Sequence, residues 1–232
     1  MLFRQLFDAQ SSTFTYLLAD EATREAVLID PVLEQVDRDL QLVRDLELSL
    51  VYVLDTHVHA DHVTGAGSLR ERTGATTVAS RSGAPCADVH VAGGDVIHVG
   101  ALELRVLATP GHTDDSVSYL VGDRVFTGDA LLVRGCGRTD FQNGDPVALH
   151  GSITRVLFAL PDFTFVYPAH DYRGHSVTTI GEERRLNPRV AKKTEAEFVA
   201  IMRGLNLPAP KRLDEAVPAN RACGVVAAVP QG

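Results

Sequence analysis

The segment Thr56-His57-Val58-His59-Ala60-Asp61-His62 gathers three imidazoles and a carboxylate on one short stretch of chain. Imidazole nitrogens and carboxylate oxygens are the common protein ligands of transition metals, and a loop can turn several side chains from so short a stretch toward one point. A solvated histidine-rich loop would have the same composition. Here, however, the cluster directly follows the apolar run Leu48 to Leu54, the pattern of a buried strand. Three later candidates share that context: His112 in TPGHTDDS after LRVLATP, Asp129 in FTGDA after DRVF, and His170 in YPAHD after FTFVYP. Loops that follow neighbouring strands converge on one edge of a sheet, so the four segments can build a single centre. His90, His98, His150 and His175 lack this context and read as ordinary loop or surface residues. The ligand types imply a transition metal, Zn, Fe, Cu, Ni or Mn, without naming it.

The elements that must position these residues can be read from periodicity. Thr15 to Asp20 and Glu25 to Asp30 form a predicted hairpin around the polar segment DEATRE, closed by Asp30-Pro31. Val36, Leu40, Val43 and Leu46 recur at helical spacing ahead of the 48–54 strand. A helix is expected from about Gly67 to Arg72, with strands at Thr76 to Ala79, Val96 to Val99, Leu102 to Ala108, Ser116 to Val121 and Arg124 to Phe126. SITRVLFAL suits an amphipathic helix, Thr164 to Tyr167 a strand, and Thr194 to Leu205 a helix ended by Pro208. From about residue 208 the chain reads as an irregular tail. This order of elements favours an α/β fold with helices outside the sheets. No linker-like stretch divides the chain, so residues 1–232 are expected to form one domain, with runs before and after residue 120 as two related halves.

Composition excludes several functions. With 45% hydrophobic and 22% charged residues the chain resembles soluble globular domains rather than disordered or fibrous ones. A net charge of -8 repels phosphate backbones and anionic lipid heads, so neither nucleic acid nor membrane is an expected partner. No apolar run reaches the roughly 18 residues of a membrane span, and MLFRQLFDAQSSTF lacks the apolar core of a secretory signal. Cys86, Cys136 and Cys223 are odd in number and contain no CxxC, which suggests no disulfide framework and fits a reducing cytoplasm. Cys136, between two glycines, reads as a small packed residue rather than a nucleophile.

THVHADH, PGHT, TGDA and PAHD together resemble the metallo-β-lactamase superfamily, which implies a four-layer αβ/βα sandwich with metals at the sheet edges. That fold hosts hydrolases of lactams, thioesters and lactones, nucleases and oxidoreductases, so the intervening residues must choose the activity. GDALLVRGCGRTDFQNGD after Asp129, then AHDYRGHSVTTIGEERRLNPR and DEAVPANRACG, resemble the persulfide dioxygenases over nearly the whole chain. Glyoxalase II, a dinuclear zinc thioester hydrolase, shares the GCGR element. It typically continues with aromatic and acidic residues where this chain has Thr139-Asp140-Phe141-Gln142, has Glu where this chain has Asp171, and carries a longer helical C-terminal domain.

All seven ligand positions of a two-metal site are present, so ligand counting alone leaves a dinuclear zinc hydrolase open. The resemblance implies instead one Fe(II) per chain, held by His57, His112 and Asp129 as a two-histidine, one-carboxylate triad with positions left for substrate and O2. His59, Asp61, His62 and His170 then orient the ligands and hold water. The implied reaction is oxidation of glutathione persulfide by O2 to sulfite and glutathione, and the implied assembly is a homodimer. Glutathione has two carboxylates, for which Arg is the natural bidentate partner; Arg138 and Arg189 are the preferred candidates, Arg173 a third, with Tyr172 as a phenolic donor.

Overall fold

A computed structural model describes residues 1–224. Twelve strands form two six-stranded sheets. The first runs in chain order: β1 (Leu2–Asp8), β2 (Thr13–Ala19), β3 (Glu25–Ile29), β4 (Ser49–Leu54), β5 (Thr76–Ser80) and β6 (Val89–Val91). β1 to β3 pair antiparallel, with the expected hairpin between β2 and β3, and β3 to β6 pair parallel. Two parallel connections pass through α1 (Val36–Asp45) and α2 (Ala66–Thr73), because parallel neighbours cannot be joined by a tight turn. The second sheet is ordered β12 (Thr178–Thr179), β11 (Phe165–Pro168), β10 (Arg124–Gly128), β9 (Val117–Val121), β8 (Leu102–Ala108) and β7 (Val96–Val99). Only β10 and β11 are parallel there, and they are joined through α3 (Pro146–Gly151), which continues as a π-helical turn over Ser152–Val156 and a 3-10 turn over Leu157–Ala159.

The alternation of side chains along β2 shows how the layers stack. Tyr16 and Leu18 face the second sheet and pack with Val27, Leu54, Tyr119 and Phe126, while Leu17 and Ala19 face α1 and α2 with Leu28, Leu40 and Leu69. A strand covered on both faces is largely apolar, with buried exceptions such as Thr13 and Thr15 satisfied by hydrogen bonds, which explains the apolar runs in the sequence. The outer face of the second sheet, through Val125 and Val166, is covered by Leu149 and Ile153, by Ile180 of α4 (Ile180–Leu186), and by Phe198 of α5 (Glu195–Arg203). Helix, sheet, sheet, helix is the four-layer sandwich expected.

Three expectations change. The sheets divide between β6 and β7, near residue 95, and not at 120. The tail is not irregular throughout: Leu213–Arg221 forms α6, with Pro218 inside it, whose apolar Ala216 and Ala219 bury against Val63. Pro218 hid this helix: it is the sixth residue of α6, where a proline forgoes the bond from its own N to Asp214 O, and the buried alanines offset that loss. Finally, Cys86 and Cys223 form a disulfide across 137 residues, with Cα atoms 5.8 Å apart. Docking of α6 brings together cysteines that no local spacing connects, and the pairing removes the cysteine argument for a reducing compartment. Among the described residues no helix is long and apolar enough to cross a membrane.

Candidate metal centre

The candidate ligands stand on loops that leave the ends of β4, β8, β10 and β11 at one rim of the sandwich. Backbone bonds bind these loops together across the two sheets. Val117 N donates to Thr56 O at 2.9 Å, Phe14 N to Ala169 O at 2.7 Å, and Ala169 N to Gly128 O at 3.0 Å. One ligating atom from each of His57, His112 and Asp129 lies within 4.8 Å of the others, close enough for a single ion to touch all three.

Hydrogen bonds fix which nitrogen each ring presents. Thr56 Oγ1 donates its only proton to Asp30 Oδ2 at 2.9 Å, so toward His57 Nδ1, 3.0 Å away, it accepts; the proton sits on Nδ1 and the lone pair on Nε2. His112 Nδ1 lies 2.7 Å from the carbonyl of Arg138, which can only accept, so His112 also offers Nε2. These are the tautomers that metal binding requires, set by partners outside the ligand ring. Burial, together with the neighbouring His59 and His112 rings, holds His57 well below the usual imidazole range, so it stays neutral. Burial works against charge on Asp129, but His170, His112 and His57 outweigh it and keep the carboxyl far below the ordinary carboxylate range. A neutral His57 and an ionised Asp129 are thus poised to ligate without loss of a proton, and His112 turns its Nε2 toward them. The donor set fits a divalent transition metal.

His59, Asp61 and His62 form a neighbouring group. His59 Nε2 gives its proton to Asp30 Oδ1 at 3.0 Å, leaving a buried Nδ1 with no hydrogen-bond partner among the described residues; His62 Nε2 is equally unpartnered. Burial opposes charge on His59, yet Asp30, Asp61 and Asp55 raise its pKa to about 9 in the metal-free protein. His170 differs, because both its nitrogens are engaged, Nδ1 with Asp129 Oδ1 at 2.6 Å and Nε2 with Asp61 Oδ2 at 2.8 Å. It joins the two groups as a bridge between their carboxylates. Among the described residues, none of His90, His98, His150 or His175 belongs to a ligand group.

The sequence reading missed the supports of this centre. Asp30 was read only as the end of a strand, yet it also accepts from Thr56 N at 2.7 Å. Asp115 Oδ2 accepts from Val58 N at 2.9 Å, and Gln142 Nε2 donates to Val58 O at 2.6 Å. A buried polar residue closing an otherwise apolar strand was the available signal for Asp30; Asp115 and Gln142 carried none. The second glycine of GCGR has a steric role, since a Cβ on Gly137 would lie 2.5 Å from Asp129 O and 2.7 Å from His112 Nδ1. Only glycine lets that loop pass behind two candidate ligands.

A cavity of about 530 Å³ opens from Asp61, His112 and Asp129 and is rimmed by Tyr172, Arg189 and Lys211, among others. Tyr172 is 72% exposed, its ring parallel to that of His170. Arg189 reaches Cys136 O at 2.5 Å and has no carboxylate partner among the described residues. Arg138 is committed elsewhere: it is bidentate to Asp140 at 2.6 and 2.8 Å and donates to the carbonyls of Pro208 and Leu207, so it pins that segment beside the cavity. Cys136 is buried, which pushes its thiol up to about 11 and suits packing rather than attack.

The metallo-beta-lactamase superfamily model matches residues 9–85 and 87–170. The chain is 52% identical over 228 residues to the human (Homo sapiens) persulfide dioxygenase ETHE1, mitochondrial, covering 97% of this chain and 89% of that protein. This chain belongs to the persulfide dioxygenase family of the metallo-β-lactamase superfamily. The crystal structure of ETHE1 from Myxococcus xanthus superposes with a TM-score of 0.96 at 69% identity, covering 97% of this chain and all of that one. A hydroxyacylglutathione hydrolase of Nitrobacter hamburgensis is more distant, at 36% identity over 88% of this chain and 79% of its own length. The family assignment therefore favours the persulfide dioxygenase reading over the glyoxalase II one.

Proposed function

We propose that the chain works as a single domain that holds one Fe(II) through His57, His112 and Asp129 and oxidises glutathione persulfide. In the balanced reaction, glutathione persulfide, O2 and water give glutathione, sulfite and two protons; the sulfane sulfur is oxidised and O2 is reduced. The observation that carries the reading is the pair of imidazole Nε2 atoms beside the Asp129 carboxylate, a two-histidine, one-carboxylate set on a chain 52% identical to a persulfide dioxygenase. Bound there, Fe(II) would supply open positions for O2 and for the persulfide sulfur. Its direct test is metal analysis of protein purified anaerobically without added metal: close to one iron per chain is expected, whereas two tightly held zinc ions with full activity would overturn the assignment.

The protein's own residues bind and orient the tripeptide. Arg189, whose charge no neighbouring carboxylate neutralises, is assigned to one glutathione carboxylate, with Tyr172 as a donor at the mouth and Arg173 and Lys211 adding positive charge there. Arg138 acts by holding Leu207 and Pro208 at the rim, so its contribution to substrate binding is indirect. A carboxylate contact made equally in the ground and transition states affects binding alone. Arg189→Ala is therefore expected to raise KM for glutathione persulfide by about 10-fold or more, from a charge-assisted contact of about 1.5–3 kcal/mol, with kcat held within about twofold. Steady-state O2 uptake measures both; an unchanged KM would remove Arg189 from the substrate site.

A further inference from the structure

The histidine loop is held from the far end of the chain by one side chain. Asn220, in α6, is 2% exposed. Its Nδ2 donates to His59 O and to His62 O, both at 2.9 Å, and its Oδ1 accepts from Thr64 N at 2.8 Å. A carboxamide offers two N–H donors and one carbonyl, and here each meets a backbone group of the loop that carries the clustered histidines. No other side chain of this size combines those donors and that acceptor.

The element carrying Asn220 is itself fixed against the same loop. Gly67 N donates to Cys223 O at 2.9 Å, and the Cys86–Cys223 disulfide fastens the end of α6 to the segment after β5. At Gly224, with φ +82, a Cβ would stand 2.1 Å from Thr64 O, so the turn after α6 lies backbone against backbone on the histidine loop. We infer that Asn220 is a positioning residue for the metal centre: it sets the path of residues 59–64, and thereby the aim of the His59 and His62 rings packed beside His57, without touching the metal. The inference rests on the metal-centre reading given above.

The test is the Fe(II) dissociation constant, measured anaerobically by competition with a colorimetric chelator, for the unaltered chain, Asn220→Ala and Asn220→Asp. Circular dichroism confirms that each is folded at the temperature used. Asn220→Asp keeps the acceptor for Thr64 N but sets a carboxylate against two carbonyls, so it fails in the same way as Asn220→Ala while preserving shape. Both variants are expected to bind Fe(II) at least 10-fold more weakly, the range typical of residues that orient ligands. Leu157→Ala, a core truncation under the second sheet, lowers the melting temperature and leaves the constant within about twofold, which is how a merely stabilising contact behaves. A change below 10-fold in either folded variant overturns the inference, as does a chain recovered folded in neither form, because Asn220 would then serve folding alone. Failure of the metal-centre reading has a different signature: the unaltered chain takes up no Fe(II), and both conclusions fall. Failure of the Asn220 role alone shows as measurable, closely similar constants.

Discussion

His57→Ala is expected to release most of the metal and all but a trace of activity, whereas His59→Ala, two residues away, is expected to retain some of both. His57 would supply one of three protein ligands. If site binding is worth on the order of 10–16 kcal/mol, a third of it is about 3–5 kcal/mol, or on the order of 1,000-fold in affinity. His59 instead offers a buried Nδ1 outside the His57, His112 and Asp129 group, and its removal should cost about 10- to 100-fold. A two-metal hydrolase would use both rings, so the two substitutions would be almost equally damaging. Anaerobic metal titration of both variants, with circular dichroism to show that they fold, separates the cases; equal loss from two folded proteins would sink the three-ligand assignment.

A large effect on stability is expected at Asp30. Its carboxylate is 1% exposed and accepts from Thr56 N, Thr56 Oγ1 and His59 Nε2, so it ties the end of β3 to the histidine loop. Asp30→Ala strands those three buried donors, and removing one member of a buried charged network commonly costs about 3–5 kcal/mol. The backbone adds to this, since Asp30 has φ 51, a left-handed conformation that Asp tolerates better than Ala. In a chain of this size the melting temperature should fall by roughly 10 °C. Asp30→Asn, which keeps an acceptor for Thr56 N, should recover part of the loss. A drop of less than about 1 kcal/mol in denaturant unfolding of Asp30→Ala would show that the network is not what holds the loop.

The contrast between His57 and Asp30 shows what the sequence could reveal. The candidate loops were legible because each follows a strand with its own apolar run, and the structure brings the segments of His57, His112, Asp129 and His170 to one rim. Most strands were legible for the same reason: both faces of β2, β3 and β10 are buried, which leaves short runs dominated by apolar residues. Supports reached through tertiary contact left no such trace. Asn220 meets His59 across 161 residues and Cys86 meets Cys223 across 137, and neither pairing has a local signature. Arg138 shows what sequence context leaves out. Its family-like segment made it a candidate for a glutathione carboxylate, and the structure pairs its fork with Asp140, a neighbour two residues away. α6 escaped notice because Pro218 and the alanines around it resemble a coil until Val63 is seen to cover them.

The central claim, that a persulfide and not a thioester is consumed here, is tested most directly by supplying glutathione persulfide to the iron-loaded protein in an oxygen-electrode cell. O2 uptake, sulfite and glutathione are then followed together. One O2 should be consumed and one sulfite and one glutathione released per persulfide, with S-lactoylglutathione hydrolysed at a negligible rate under the same conditions. Rapid thioester hydrolysis without O2 uptake, or persulfide loss without sulfite, would contradict it.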